Sequence, residues 1–314
     1  MSRIVSLIAS ATEIVYSLGE FRALVGRSHE CDYPAAVAAL PCCTRPRIDV
    51  SGSSREIDAL VKSTLADALS IYEVIDDVLE RLRPTHIITQ TQCEVCAVSL
   101  RDVEQSVAAR LSSRPQVVAL QPDSLSRIFE DIRRVARALG IESRGEECVL
   151  EIQERMRELS NHAHSGATRP TVACIEWLEP LMAAGNWMPE LVNMAGGINV
   201  FGEAAKHSPY IGWDELVSRD PDIIIAAPCG FDLSRTASEV YWLTENPRWS
   251  ELRAAQTGRV YLVDGNQYFN RPGPRILESL EILAEILWPA RFPRSGNVPR
   301  WLTLEERYNV STRP

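Results

Sequence analysis

The chain has 314 residues, of which 45% are hydrophobic and 24% are charged, the balance of an ordinary globular protein. This length allows two domains with a core each. The net charge of −9 and the lack of any basic run argue against a protein that binds nucleic acid in general.

The sequence predicts neither a targeting segment nor a membrane span. The first apolar run, residues 4–8, is followed by Thr12-Glu13 too early for a signal peptide. No apolar run reaches the ~18 residues that cross a bilayer. We therefore expect a cytoplasmic protein, or a periplasmic or surface-anchored one if a leader was removed.

Residues 1–122 alternate between β-like and helical patterns. Apolar runs predict strands at residues 4–8, 23–26, 84–90 and 116–120. Helical spacing predicts helices at residues 56–82, with a break near Ser70, and at residues 100–111. Strands that alternate with helices indicate a parallel sheet covered by helices, so we expect a first α/β lobe here.

Residues 123–166 have the pattern of a long helix. Apolar residues recur at helical spacing on both sides of Gly140, at Ile128, Ile132, Val135, Ile152 and Met156. We expect one continuous helical spine over residues 124–162 that joins two lobes and permits little movement between them.

Residues 167–290 repeat the alternating pattern, with predicted strands at residues 171–175, 221–226 and 260–263 and a closing helix at residues 274–288. The polar, Pro-rich residues 291–314 are expected to run over the surface as a tail. The predicted fold class is α/β, with two Rossmann-like lobes joined by a single long helix. A ligand is then expected in the cleft, beyond the carboxyl ends of the strands.

The predicted cleft loops are rich in aromatic residues. Flat rings on loops suit a large, planar and partly apolar ligand. The alternative for any one of these rings is packing against a helix. The aromatic candidates for ligand binding are Tyr33, Trp177, Trp187, Phe231, Tyr268 and Phe269.

Polar candidates lie on the same loops. Arg271 can donate to a carboxylate, amide or phosphate, although a solvated or helix-capping role is equally compatible with its position. His29 is the one histidine on a predicted cleft loop, where it is expected to form hydrogen bonds. The acids that can accept from amides of a ligand are Glu30, Asp32 and Glu94.

The cysteines give an ambiguous pattern. Cys93 and Cys96 form one CxxC without the second pair that would indicate zinc. Cys31 and Cys93 follow two strands of one predicted sheet, so both thiols are ligand-binding candidates and possible ligands of a soft metal or of cobalt. Inert, partly buried thiols are the alternative. No enzyme motif is present.

Four stretches resemble the iron-siderophore and cobalamin substrate-binding proteins of ABC importers. Residues 4–13 with Gly19 resemble the opening of that family, and residues 26–34 resemble its first ligand loop. Residues 194–201 are similar to a signature of the second lobe. Residues 267–275 resemble the last ligand loop, where cobalamin binders place aromatic residues beside an arginine.

The resemblance implies a fold of the class III periplasmic-binding-protein type and a non-catalytic protein that binds cobalamin or a related corrinoid between its lobes. The first alternative is a ferric siderophore or haem binding protein. The second is a cytoplasmic corrinoid-processing enzyme that uses Cys31, Cys93 or Cys96. An ABC permease is the implied partner, and Glu56 and Glu190 are candidate acids for docking to it.

The cysteine pattern predicts mostly free thiols. We expect at least six of the eight cysteines to be free in the native protein under reducing conditions, because the chain is too long to need a disulfide scaffold. Alkylation without reductant, followed by mass measurement, counts them. Two or more stable bridges would instead point to an exported protein.

Overall fold

The protein, described here as a computed structural model over residues 2–66, 70–91, 99–165, 168–296 and 298–309, folds into two α/β lobes. Each lobe has its own mainly parallel sheet, and none of the described strands belongs to both sheets. The predicted fold class is therefore confirmed. In these residue ranges no helix is both long enough and apolar enough to cross a membrane.

The first lobe is built on a parallel sheet with the order β2-β1-β5-β6. The central strands are rich in β-branched residues that are buried on both faces, as parallel sheets require. Its described strands are β1 (Ile4–Ser6), β2 (Leu24–Arg27), β3 (Thr44–Pro46), β4 (Tyr72–Val74), β5 (His86–Gln90) and β6 (Gln116–Leu120). Its described helices are α1 (Ala9–Ser17), α2 (Ser54–Ala66), α3 (Asp76–Leu82) and α4 (Leu100–Arg110).

The helix predicted over residues 56–82 is two helices separated by a strand. α2 begins with a capping box, in which Glu56 Oε2 accepts from the Ser53 backbone N–H at 2.8 Å and Ser53 Oγ accepts from the Glu56 N–H at 3.4 Å. After it, β4 pairs antiparallel with β3. The strand forms where β-branched and aromatic residues replace the helix formers, a change that favours extended backbone.

The predicted continuous spine is also two helices, α5 (Leu125–Ala138) and α6 (Glu142–Ala163). Gly140 adopts a φ of +70° between them, a conformation that favours glycine, and the chain reverses direction. Gly145 then packs directly against Ala136, and Arg133 pairs with Glu146 at 2.6 Å. α5 covers the first lobe, so the single helix that joins the lobes is α6.

The second lobe is built on a sheet with the order β12-β11-β10-β7-β8, and β9 also pairs with β7. Its described strands are β7 (Thr171–Trp177), β8 (Met182–Ala183), β9 (Ile198–Asn199), β10 (Ile223–Ala226), β11 (Val260–Val263) and β12 (Trp301–Thr303). Its described helices are α7 (Met188–Met194), α8 (Trp213–Arg219), α9 (Leu233–Glu239), α10 (Tyr241–Thr244), α11 (Arg253–Gln256) and α12 (Ile276–Leu287).

Part of the expected surface tail is a strand of the second sheet. β12 pairs antiparallel with β11 and forms the edge of the sheet. Trp301 is buried, and its indole N–H donates to Glu285 Oε2 at 2.8 Å. The polar composition of residues 291–314 concealed this strand, in which Trp301 and Leu302 are buried.

A buried ion network joins the two lobes on one side of the cleft. Glu13 of α1, only 2% exposed, accepts from Arg271 at 3.0 Å and from Arg275 at 2.7 and 3.0 Å. Asp32 of the first lobe accepts from Arg271 at 2.8 Å and from Asn266 at 2.9 Å. Acids of one lobe therefore bind bases of the other, and at Glu13 they do so where water is largely excluded, whereas the Asp32 side chain is 39% exposed.

The helix pair makes the first prediction about stability. A Cβ at position 145 would lie 2.4 Å from the Cβ of Ala136, so Gly145→Ala should lower the free energy of unfolding by about 1–3 kcal/mol through overpacking. This loss is expected although alanine favours a helix by about 1 kcal/mol. Urea unfolding measures it.

The matched swap Gly145→Ala with Ala136→Gly moves the methyl group from one helix to the other and should recover most of the lost stability. Gly212→Ala is the control, because nothing lies within 4 Å of its Cβ position. If Gly145→Ala is as stable as the native protein, the close helix contact is wrong.

The ion network makes the second prediction. Arg271→Met removes the main partner of Asp32 and one partner of Glu13, so it should lower the free energy of unfolding by about 3–5 kcal/mol. Arg157→Met is the control, because Arg157 pairs with Glu154 on the exposed surface of α6 and should change stability by less than about 1 kcal/mol. Equal effects of the two substitutions would contradict a buried network.

Candidate functional site

A cavity with a volume of about 640 Å³ lies between the lobes. This volume is within the range of about 300–1,000 Å³ that is typical of small-molecule sites. Both lobes contribute walls, which include loops after β2, β7, β10 and β11. The cavity therefore lies where the sequence predicts a ligand, beyond the carboxyl ends of the parallel strands.

The structure brings six of the predicted binding residues to this cavity. His29 and Glu30 come from the first lobe, and the others come from the second. Asp32, which the sequence offered as a hydrogen-bonding acid, also lines it. The six residues are His29, Glu30, Trp177, Trp187, Phe231 and Arg271.

Three aromatic candidates of the described chain are packed elsewhere. Phe269 is 1% exposed and belongs to the core between the lobes. Tyr268 packs against the same core. Tyr33 packs edge-on against Tyr16 and lies 3.9 Å below the guanidinium of Arg275. The loops that carry these rings reach the cleft, but the rings themselves face the protein.

Cys31, the thiol candidate that lies within the described residues, does not line the cavity. Cys31 is 2% exposed, and its Sγ accepts from the Thr12 hydroxyl at 3.0 Å. Burial raises the pKa of this thiol, and Cys31 lies in the core rather than on the cavity wall. Cys93, Glu94 and Cys96 lie outside the described residues.

Two aromatic rings form one wall of the cavity. Trp177 and Phe231 lie with their ring centroids 5.2 Å apart, and the guanidinium of Arg235 lies 3.9 Å from the Phe231 centroid. The Trp177 indole N–H donates to the Ser54 carbonyl of α2 at 3.2 Å. This bond orients the Trp177 ring, and the two rings are inclined by 57° to each other, so the wall presents two apolar ring surfaces to a ligand.

The helix α2 is the part of the wall that the sequence analysis missed. Ile57, Val61 and Leu65, spaced four residues apart, line the cavity from one face of this helix. Its first turn also contacts the second lobe, because the Ser54 N–H donates to Glu239 at 2.7 Å and Gly52 accepts from Arg235 at 2.6 Å. The four-residue spacing of Ile57, Val61 and Leu65 is the sequence pattern that could have indicated an apolar face of α2 on the cavity wall.

Two buried donors on the cavity wall lack a hydrogen-bond partner among the described residues. They are the indole N–H of Trp187, which is 7% exposed, and the hydroxyl of Ser10, which is 2% exposed. A buried donor without a partner costs about 1–3 kcal/mol. Acceptor oxygens at the edge of a ligand would remove this cost.

The cations of the wall already have acidic partners. Lys62 pairs with Asp58 at 2.8 Å, Arg235 with Glu239 at 3.6 Å, and Arg271 with the buried network. Burial raises the pKa of Asp32, but hydrogen bonds from Arg271 and its charge outweigh this effect and hold the pKa below its usual value. The carboxylate therefore stays charged and holds Arg271 in the network.

His29 is held by a hydroxyl group of the neighbouring strand. Its Nδ1 lies 2.8 Å from Thr44 Oγ1, and its backbone N–H donates to the same oxygen at 3.1 Å. The ring packs against Tyr72 with centroids 5.0 Å apart. Burial and the charge of Arg27 lower the pKa of His29 to about 4, so the imidazole is neutral at pH 7.

The two candidate docking acids already have structural roles. Glu56 belongs to the capping box of α2, and Glu190 Oε2 accepts from the Leu125 N–H at 2.9 Å, at the start of α5.

As for metals, no group of three His, Cys, Asp or Glu residues in the described ranges is arranged to hold an ion.

The profile of the periplasmic binding protein family matches residues 4–266. The vitamin B12-binding protein of Vibrio cholerae serotype O1 is 23% identical over 281 residues, 89% of this chain and 86% of that protein. An uncharacterized ABC transporter substrate-binding lipoprotein of Bacillus subtilis is 22% identical over 300 residues, 92% of this chain and 81% of that protein.

The fold also matches solved structures. A periplasmic heme binding protein from Pseudomonas aeruginosa superposes with a TM-score of 0.71 at 21% identity, covering 96% of this chain and 97% of that one. With its two lobes, its joining helix and a family profile that spans most of its length, the chain belongs to the periplasmic binding protein family, the non-catalytic ligand-binding proteins of ABC importers.

Proposed function

We propose that the protein binds cobalamin or a related corrinoid in the cavity between its lobes. The corrin ring is broad and mostly apolar at its faces, and its edge carries amides. The cavity offers the matching chemistry, with flat rings at Trp177 and Phe231 and with buried donors at Trp187 and Ser10.

The single observation that carries this proposal is the pairing of the wall cations. Haem and ferric siderophores commonly bring negative charges, which need free cations when they are buried. Lys62, Arg235 and Arg271 are each already paired with an acid. A ligand with neutral amides at its edge meets this wall without breaking those pairs.

The comparisons support the same class of ligand without selecting within it. One similar protein is named for vitamin B12 and another for heme, so a haem or siderophore ligand remains the alternative. Membership of a non-catalytic family excludes the cysteine-dependent processing enzyme.

The partner proposed here is an ABC permease, with Glu56 and Glu190 as candidate contacts. The cytoplasmic location expected from the sequence stays a prediction, because similar proteins are named as periplasmic or lipoprotein ones.

The ligand is tested by calorimetry with cyanocobalamin, haemin and a ferric siderophore. We expect cyanocobalamin to bind at least roughly a hundredfold more tightly than the two anionic ligands, a difference of about 2.7 kcal/mol. If cyanocobalamin does not bind below roughly millimolar concentration while haemin or the siderophore does, the corrinoid proposal is wrong.

Trp187→Phe tests the unpaired donor. The ring belongs to the core cluster, so replacement by alanine would cost about 3–5 kcal/mol of stability, whereas phenylalanine keeps most of the ring. Loss of one hydrogen bond of about 1 kcal/mol should weaken cyanocobalamin binding about fivefold.

Trp242→Phe is the matched control. Its indole N–H is also buried without a partner in the described structure, but the residue does not line the cavity. This variant should bind cyanocobalamin with native affinity. Equal losses of affinity in both variants would show that the Trp187 donor does not reach the ligand.

A further inference from the structure

One metal-binding atom on the cavity wall is left unused by the protein. His29 lines the cavity, and its Nδ1 is turned to Thr44 at 2.8 Å. Its Nε2 has no hydrogen bond within the described residues. The two nitrogens occupy different positions of the imidazole ring. Because Nδ1 faces Thr44, Nε2 is directed away from it.

The surroundings of His29 match those of a metal-ligating histidine. Such residues usually hold the second ring nitrogen in a hydrogen bond, which fixes the tautomer and the orientation of the ring. The Thr44 oxygen has two lone pairs, so it can accept from both the His29 backbone N–H and a protonated Nδ1. The Tyr72 ring restricts the imidazole from one side.

We propose that Nε2 of His29 is an axial ligand of the cobalt in the bound corrinoid, an inference that rests on the proposed function. The cobalt–water bond of aquocobalamin breaks, water leaves, and the Nε2 lone pair forms the cobalt–nitrogen bond. Neither an electron nor a proton is transferred to the ligand. A cyanide ligand on cobalt exchanges less readily, so the protein should prefer the aquo form.

The other donors on the described wall are less suited. The Tyr72 hydroxyl donates to Glu30 at 3.2 Å. His207 also has its Nδ1 in a hydrogen bond, 3.0 Å from the Ser208 carbonyl oxygen, but its side chain is exposed, whereas that of His29 is half-buried. The Cys229 thiol must first lose a proton before it can ligate a metal. His29 presents a neutral nitrogen that needs no such step.

Absorption spectroscopy and calorimetry with aquocobalamin and cyanocobalamin test the inference. Native protein should shift the visible bands of aquocobalamin to the positions that excess free imidazole produces, and should leave those of cyanocobalamin in place. His29→Ala and His29→Gln should lose the shift. Both variants should bind aquocobalamin at least about tenfold more weakly than the native protein does. Their affinity for cyanocobalamin should fall by less. Added imidazole should restore the shift in His29→Ala.

His164→Ala is the control, because His164 is exposed at the end of α6 and bonds to Ser160; it should keep the shift. His207→Ala is measured as the competing ligand. The inference is overturned if native protein binds both cobalamins without a band shift, or if the shift depends on His207 instead. If neither cobalamin binds, the proposed function is wrong as well. Binding without a band shift contradicts the axial-ligand inference alone, so the two failures are distinguishable.

Discussion

The arrangement of the lobes depends on a buried carboxylate, Glu13, that is shared by two arginines of the opposite lobe. Burying these charges is expensive, and their attraction offsets the cost only when the hydrogen bonds are complete. The network meets that condition, since Arg271 also binds Asp32 and Asn266 and Arg275 binds Gln267. Sliding one lobe past the other would leave a buried charge without a partner, so the relative position of the lobes is closely defined. The shape of the cavity follows from that position.

The opposite side of the cavity is held by contacts of another kind. There α2 touches the second lobe through Ser54, Asp58 and the exposed Arg55, whose guanidinium lies 4.3 Å from the Trp242 ring. The Asp58 and Arg55 contacts lie nearer to solvent than the Glu13 network, and each contributes about 1 kcal/mol or less, whereas the bond from the Ser54 N–H to Glu239 is buried. Separating α2 from the second lobe would break one buried hydrogen bond and would leave the arginine network intact. Such local opening costs much less than separation of the lobes.

Regular elements were predictable from the sequence because buried strands appear in it as short continuous runs of apolar residues. The strand at residues 116–120 was placed at its observed bounds, and the apolar core of residues 221–226 forms β10. Side chains on loops have no periodicity that indicates where they point, so Phe269 and Trp187 could not be told apart, although both rings are buried and Trp187, unlike Phe269, also lines the cavity. Arg271 lines the cavity, but its partners Glu13 and Asp32 lie more than two hundred residues away in sequence. No local pattern reveals such a pairing.

The edge strand β12 has a consequence for the order in which the chain folds during synthesis. The first sheet and its covering helix α5 are complete by Ala138, whereas the second sheet gains its outer strand only at Trp301–Thr303. Domains usually fold as they leave the ribosome, with the N-terminal one first. The second sheet must then wait with the edge of β11 open until nearly the whole chain has emerged. An open strand edge is a template for pairing with other chains, so the second lobe is the part of the nascent protein most exposed to aggregation.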